Sequence, residues 1–266
     1  MLRAEKLSLS LDGVPLNCVR FGTGEKNLVM LPGLSLRDVN SAAHSLAFLY
    51  RDFAKLYTVY VLDKKSLIPD SCTIRGLARD AAQAVEQLGI GPADVFGVSQ
   101  GGMIALELAA EFPQLVRKLA LGVTAARSNP VLCAVLQNWI SLAENNRFDE
   151  LFSDMIEKLY SDRLVRKYKL LVPLLAKAAK PKDSKRFTAL AKSCLTCCAF
   201  PVLHKISCPA FVIGGKLDAV VTAEASVEIA RELGCELFLY PDLGHAAYEE
   251  APDFNARILR FLTADP

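Results

Sequence analysis

The chain has 266 residues, 52% of them hydrophobic, and a net charge of +2. A chain of this length buries roughly 75% of its unfolded surface and needs no cross-links, and a charge so close to balance argues against a nucleic-acid-binding or acidic-tail class. No run reaches the ~20 apolar residues of a bilayer span, so no membrane partner is expected.

The opening MLRAEKLSLSLDGVPL carries Arg3, Glu5 and Lys6 without the apolar core of a signal peptide, which makes the cytoplasm the expected place. Strands are then predicted at 7–11, 16–21, 27–31, 57–63, 94–98, 118–122, 210–214 and 236–240. Asp12-Gly13 is a hairpin signal that joins the first two as an antiparallel edge. The later runs are short and continuously apolar, as for strands buried on both faces. Helices are predicted between them. Residues 73–88 put Ile74, Leu77, Ala81, Ala84, Val85 and Leu88 on one face and stop at Gly89; 100–112 is apolar nearly all round; 221–233 and 253–263 follow. Alternating strands and helices predict an α/β fold, a mostly parallel sheet with helices on both faces.

Residues 125–200 interrupt that alternation with helical patterns alone, and read as an inserted helical subdomain. The core is then 1–124 and 201–266. Eight cysteines in a chain of this size, spread over apolar runs, read as reduced and mostly buried thiols. Cys194, Cys197 and Cys198, with His204 and Cys208 nearby, lack the second spaced pair of a zinc site, so no metal is expected.

Chemistry concentrates at DVFGVSQGGM, residues 94–103, where a strand turns into a helix through Gly97-Val98-Ser99-Gln100-Gly101. Glycines on both sides let the strand and helix crowd a turn that holds the Ser99 hydroxyl above the sheet. The same spacing also suits a turn that cradles a phosphate at a helix N-terminus. A serine hydroxyl is a weak nucleophile without a base, and His245, in the loop after the last predicted strand, is the candidate. His44 and His204 lie in helical or linker contexts and are read as packed or surface residues. The acid is expected after the preceding strand, at Asp218, with Thr222 the better candidate to cap the following helix; Asp63 and Asp242 are the alternatives. An oxyanion needs backbone N–H donors, here those of Gln100 and of Leu34 after the sharp Pro32-Gly33 turn.

GVSQG, GGKLD and GHAAYEE, carrying Ser, Asp and His in that order, resemble the α/β-hydrolase superfamily over nearly the whole chain. The resemblance implies an eight-stranded sheet, a helical lid after the sixth strand and no cofactor. It departs in one place: Pro32-Gly33 stands where many members have His-Gly, so a side-chain contact in the oxyanion loop is lost. The implied activity is cleavage of a small or medium carboxylic ester by a Ser99–His245–Asp218 triad through an acyl-enzyme. Thioesters, acyl-carrier methyl esters, carbon–carbon bonds and amides stay open, as does a receptor that keeps a ligand under its lid.

The lid supplies candidate substrate contacts in Trp139, Phe148, Phe152 and Met155, with Leu34 opposite and Leu159 and Tyr160 nearby. Its basic run has Arg163, Arg166, Lys167, Lys169, Lys177, Lys180, Lys182, Lys185, Arg186 and Lys192 against Asp183 alone. That run reads as a solvated helix face or as a landing site for an anionic or acyl-carrier-bound substrate.

Overall fold

The structure is a computed structural model, and it describes residues 3–168, 174 and 184–265. Eight strands form one sheet: β1 (Glu5–Leu11), β2 (Val14–Phe21), β3 (Lys26–Leu31), β4 (Tyr57–Lys65), β5 (Ala93–Val98), β6 (Val116–Gly122), β7 (Ala210–Gly215) and β8 (Glu236–Tyr240). Their spatial order is β1-β2-β4-β3-β5-β6-β7-β8. β2 runs antiparallel to both β1 and β4, and every other neighbour is parallel. All eight predicted strands are present, most of them longer by one or two residues.

Among the described residues the α-helices, numbered in chain order, are α1 (Ala43–Leu49), α2 (Ile74–Leu88), α3 (Gln100–Glu111), α4 (Pro130–Glu144), α5 (Phe148–Leu159), α6 (Asp162–Tyr168), α7 (Lys185–Leu195), α8 (Ala223–Leu233), α9 (Ala247–Glu250) and α10 (Phe254–Thr263). α2 starts at an N-cap, where Thr73 accepts from the Gly76 N–H (3.1 Å), and ends at Gly89 in the left-handed region. The expected Thr222 cap differs. Thr222 stands at the N-cap position of α8, but its side chain makes no capping bond there.

Burial follows the pleat. On β3, Leu28 and Met30 face a cluster that includes Val59, Phe96, Phe254 and Ile258, while Val29 and Leu31 face another that includes Leu77, Val85, Ile104 and Leu106. One face of the sheet is thus covered by α1 and α10 and the other by α2, α3 and α8, which is why these strands are continuously apolar. The strand order reverses between β3 and β5, so the connections leaving their carboxyl ends diverge and open a crevice there. Helices α4–α7 fall between β6 and β7, and α4, α5 and α7 wall a cavity at that crevice. Among the described residues no helix is long and apolar enough to cross a membrane.

Candidate active site

Ser99 follows β5 at the N-terminus of α3 with φ 54° and ψ −120°, a conformation that non-glycine residues rarely adopt. Three contacts hold it there. Its N–H donates to Gly122 O (2.9 Å), its carbonyl accepts from Thr124 Oγ1 (2.7 Å), and α3 packs directly onto β3. That last approach requires glycine: a Cβ on Gly101 would lie 1.8 Å from Leu31 O. A second close approach holds the loops after β7 and β8 together. A Cβ on Gly215 would meet Leu243 O at 2.2 Å, and Leu217 N–H donates to that same carbonyl (3.0 Å).

The crowding brings three distant side chains into one series. Ser99 Oγ lies 2.9 Å from His245 Nε2, and His245 Nδ1 lies 2.8 Å from Asp218 Oδ2. The other carboxylate oxygen, Oδ1, accepts from the N–H groups of Val220 (2.8 Å) and Val221 (2.9 Å). Burial alone would raise the Asp218 carboxyl. The adjacent imidazole and these hydrogen bonds outweigh it and hold the carboxyl below its ordinary value. With Asp218 ionised, the imidazole proton sits on Nδ1 and Nε2 is free to accept from the serine.

The alternatives lie elsewhere. Asp63 accepts from Val39 N–H (3.0 Å) and from Arg186 (2.8 Å). Asp242, His44 and His204 are all exposed.

Gly33 packs on the serine, where a Cβ would come within 3.3 Å of Ser99 Cβ, and Leu34 and Gln100 line the same cavity as Ser99. The Gln100 side chain is buried and points toward α7, donating to Leu190 O (2.8 Å) and reaching Cys194 Sγ at 3.2 Å. Burial pushes the Cys194 thiol up to about 11, so it stays protonated at neutral pH.

Two adjoining cavities meet at this point. The inner one, about 50 Å³, lies against Ser99 and His245 and is walled by Leu34, Met103, Leu136, Trp139 and Met155. The outer one, about 480 Å³, shares Leu34, Met155, Leu159 and Tyr248 with it and adds Phe152, Tyr160 and Lys64. Of the expected contacts, Leu34, Trp139, Phe152 and Met155 reach these cavities. Phe148 lines neither: at the first turn of α5 it is buried in the core with the α4 side chains. Among the residues missed were Tyr248 and Lys64. Tyr248 lies one turn past His245, and Lys64 stands at the carboxyl end of β4, so position in the fold was the available signal for both.

The basic run divides. Arg186 is turned inward, donating to Asp63 Oδ1, Lys64 O (2.9 Å) and Lys65 O (3.1 Å). Lys192 pairs with Glu144 (2.8 Å), while Arg163, Arg166, Lys167 and Lys185 are exposed. Lys169, Lys177, Lys180, Lys182 and Asp183 lie outside the described residues.

The model of the alpha/beta hydrolase fold family matches residues 45–252. The chain belongs to that family. Among curated relatives, homoserine O-acetyltransferase of Thermus thermophilus is 47% identical over 58 residues, a match that spans 22% of this chain and only 15% of that one. A 2-hydroxy-6-oxononadienedioate/2-hydroxy-6-oxononatrienedioate hydrolase of Klebsiella pneumoniae is 27% identical over 91% of this chain and 88% of its own. Among solved structures, the alpha/beta hydrolase enzyme MGS-M2 from a Medee basin deep-sea metagenome superposes with a TM-score of 0.86 at 23% identity, covering 98% of each chain. As an α/β hydrolase, the chain has the eight-stranded sheet and the helices around it that its sequence predicts.

Proposed function

We propose that this α/β-hydrolase chain is a serine hydrolase that cleaves small or medium carboxylic esters. The observation that carries the reading is the unbroken series Ser99 Oγ–His245 Nε2 and His245 Nδ1–Asp218 Oδ2, beneath an apolar cavity. Ser99 Oγ forms a bond to the carbonyl carbon as His245 Nε2 takes its proton, and the carbonyl electron pair moves onto oxygen. Leu34 and Gln100 N–H groups receive that oxyanion. The tetrahedral adduct collapses, the carbon–alkoxide bond breaks, and His245 returns the proton to the leaving alkoxide. Water then releases the acyl group from Ser99 by the same path, with Asp218 holding the imidazole and balancing its charge.

The inner cavity has room for only a few heavy atoms, which supports a short acyl group there, with the remainder of the ester in the outer cavity. The test is a panel of 4-nitrophenyl esters from acetyl to decanoyl, assayed beside a thioester, a proline amide and an oxo-dienedioate. The expected result is a kcat/KM that peaks among the short esters. Turnover of the oxo-dienedioate alone would favour a second reading, to which the Klebsiella relative points.

A further inference from the structure

Lys64 is a buried cation that the ester mechanism leaves unused. Its side chain leaves the carboxyl end of β4, and Nζ donates to Pro32 O (2.6 Å) and Gly33 O (2.9 Å). The nearest carboxylate, Asp63, is taken by Arg186 and by the N–H groups of Val39 and Lys64. An ammonium held mainly by two backbone carbonyls is a costly thing to bury, and an apolar side chain of similar length would fill the space without that cost. The cost is placed beside the nucleophile, on the loop that packs against Ser99.

The geometry of one peptide unit gives the reason. In a trans peptide the carbonyl of residue i and the N–H of residue i+1 point in opposite directions. The Gly33 carbonyl that Lys64 binds therefore fixes the direction of the Leu34 N–H, the donor on the oxyanion side. We propose that Lys64 is a positioning residue that clamps the Gly33–Leu34 peptide and so aims the Leu34 N–H at the developing oxyanion. The assignment rests on the hydrolase reading for its chemical purpose.

The ammonium also draws electron density from the Gly33 carbonyl, which makes the Leu34 N–H a stronger donor through the same amide. Pro32 offers the loop no polar side chain, so its support comes from the neighbouring strand. α7 steadies the clamp in turn, because Arg186 binds the carbonyls of Lys64 and Lys65.

The clamp titrates in an accessible range. Burial pushes the Lys64 ammonium down to about 8; the Asp63 carboxylate opposes that shift and Arg186 adds to it, while the Cys194 thiol on α7, itself pushed up to about 11, is uncharged over this range. Arg37 and Asp38 of the oxyanion loop, and Glu249 on α9, are the other charged side chains around the same cavity. Above that point the neutral amine is a weaker donor to both carbonyls and no longer polarises the Gly33 amide, so turnover falls as pH rises through about 8.

The experiment uses the whole chain and a short neutral 4-nitrophenyl ester. Lys64→Met is expected to lower kcat about 10- to 100-fold at pH 7 with KM within about threefold, since the donor acts on the transition state rather than on the bound ester. In wild type, kcat is expected to fall on the alkaline side with a midpoint near 8, and that limb is expected to vanish in Lys64→Met. A lysine that served only stability would lower the melting temperature and leave both the kcat and the shape of the pH profile in place. A kcat within twofold of wild type in the variant, or a wild-type kcat that holds level from pH 7 to 10, overturns the proposal; the second observation needs no variant to fold. A crystal structure of Lys64→Met separates this claim from the hydrolase reading. A rotated Gly33–Leu34 peptide supports the clamp even if no ester is turned over, and an unchanged peptide overturns it even if esters are.

Discussion

Ser99, Asp218 and His245 stand on turns where backbone meets backbone, whereas Trp139, Phe152 and Met155 stand on inserted helices where side chain meets side chain. In the first region the positions are fixed by contacts that tolerate no added atom. Gly101 lies against Leu31 O, and Gly215 against Leu243 O. In the second region the helices are anchored at separate points. Gln100 donates to Leu190 O of α7, Arg186 of α7 donates to Asp63, and Leu159 O at the end of α5 accepts from Ala246 N–H beside His245. Between those anchors the fit is apolar packing, which accommodates substitution far more readily than a backbone contact does. Under the proposed function, the difference would put the chemistry on the sheet and the choice of substrate on the helices.

Ser99→Ala should break the comparison most sharply. It removes one hydroxyl from a turn shaped by its neighbours, so the melting temperature should stay within about 2 °C while kcat falls by about 10⁴ or more. Steady-state assay beside thermal unfolding reads both. Asp218→Asn should come next, with kcat down by up to about 10⁴, because a neutral amide no longer fixes the imidazole proton on Nδ1. The Asp218 carboxyl is held below its ordinary value, so it should stay charged to lower pH than a free carboxylate does. If Asp63→Asn lost as much kcat as Asp218→Asn with the fold intact, the assignment of the acid would be wrong.

The same contrast explains what could be read from the sequence. A strained serine between glycines, a histidine after the last strand and an aspartate after the one before it are local patterns, because backbone geometry restricts which residues fit. The eight strands were legible for a related reason: burial on both faces leaves an apolar run that polar helix faces bracket. Phe148 shows where this stops. It and Phe152 lie one turn apart on α5, yet Phe148 is buried in the core and Phe152 faces the outer cavity. Which way each points depends on the rotation of α5 against α4, a tertiary fact that no local pattern carries. Lys64 was hidden for a different reason. Its partners are the Pro32 and Gly33 carbonyls, and every residue has a carbonyl. Arg186, read among surface charges, is in fact an anchor whose Asp63 partner is 123 positions away.

Substitutions in the helical wall should sharpen the comparison at smaller cost. Met155→Ala opens both cavities and should shift the preferred acyl length upward by two to four carbons, changing the ratio of kcat/KM between butyryl and octanoyl esters by about 10-fold. Phe148→Leu should leave that ratio within about twofold. Its effect should appear as a loss of about 1–2 kcal/mol in urea unfolding, since it alters a core contact rather than a cavity wall. A Phe148→Leu enzyme with altered chain-length preference and unchanged stability would place that side chain in the binding surface instead.

The most direct test of the central claim is to catch the acyl group on its serine. A short 4-nitrophenyl ester is mixed with the protein, the reaction is quenched in acid within the first turnovers, and the digest is read by mass spectrometry. The account predicts that the peptide containing Ser99 gains the mass of the acyl group less one hydrogen, and that Ser99→Ala shows no such gain anywhere in the chain. An acyl group found on another residue of a protein that turns the ester over, or full turnover by Ser99→Ala, would contradict it.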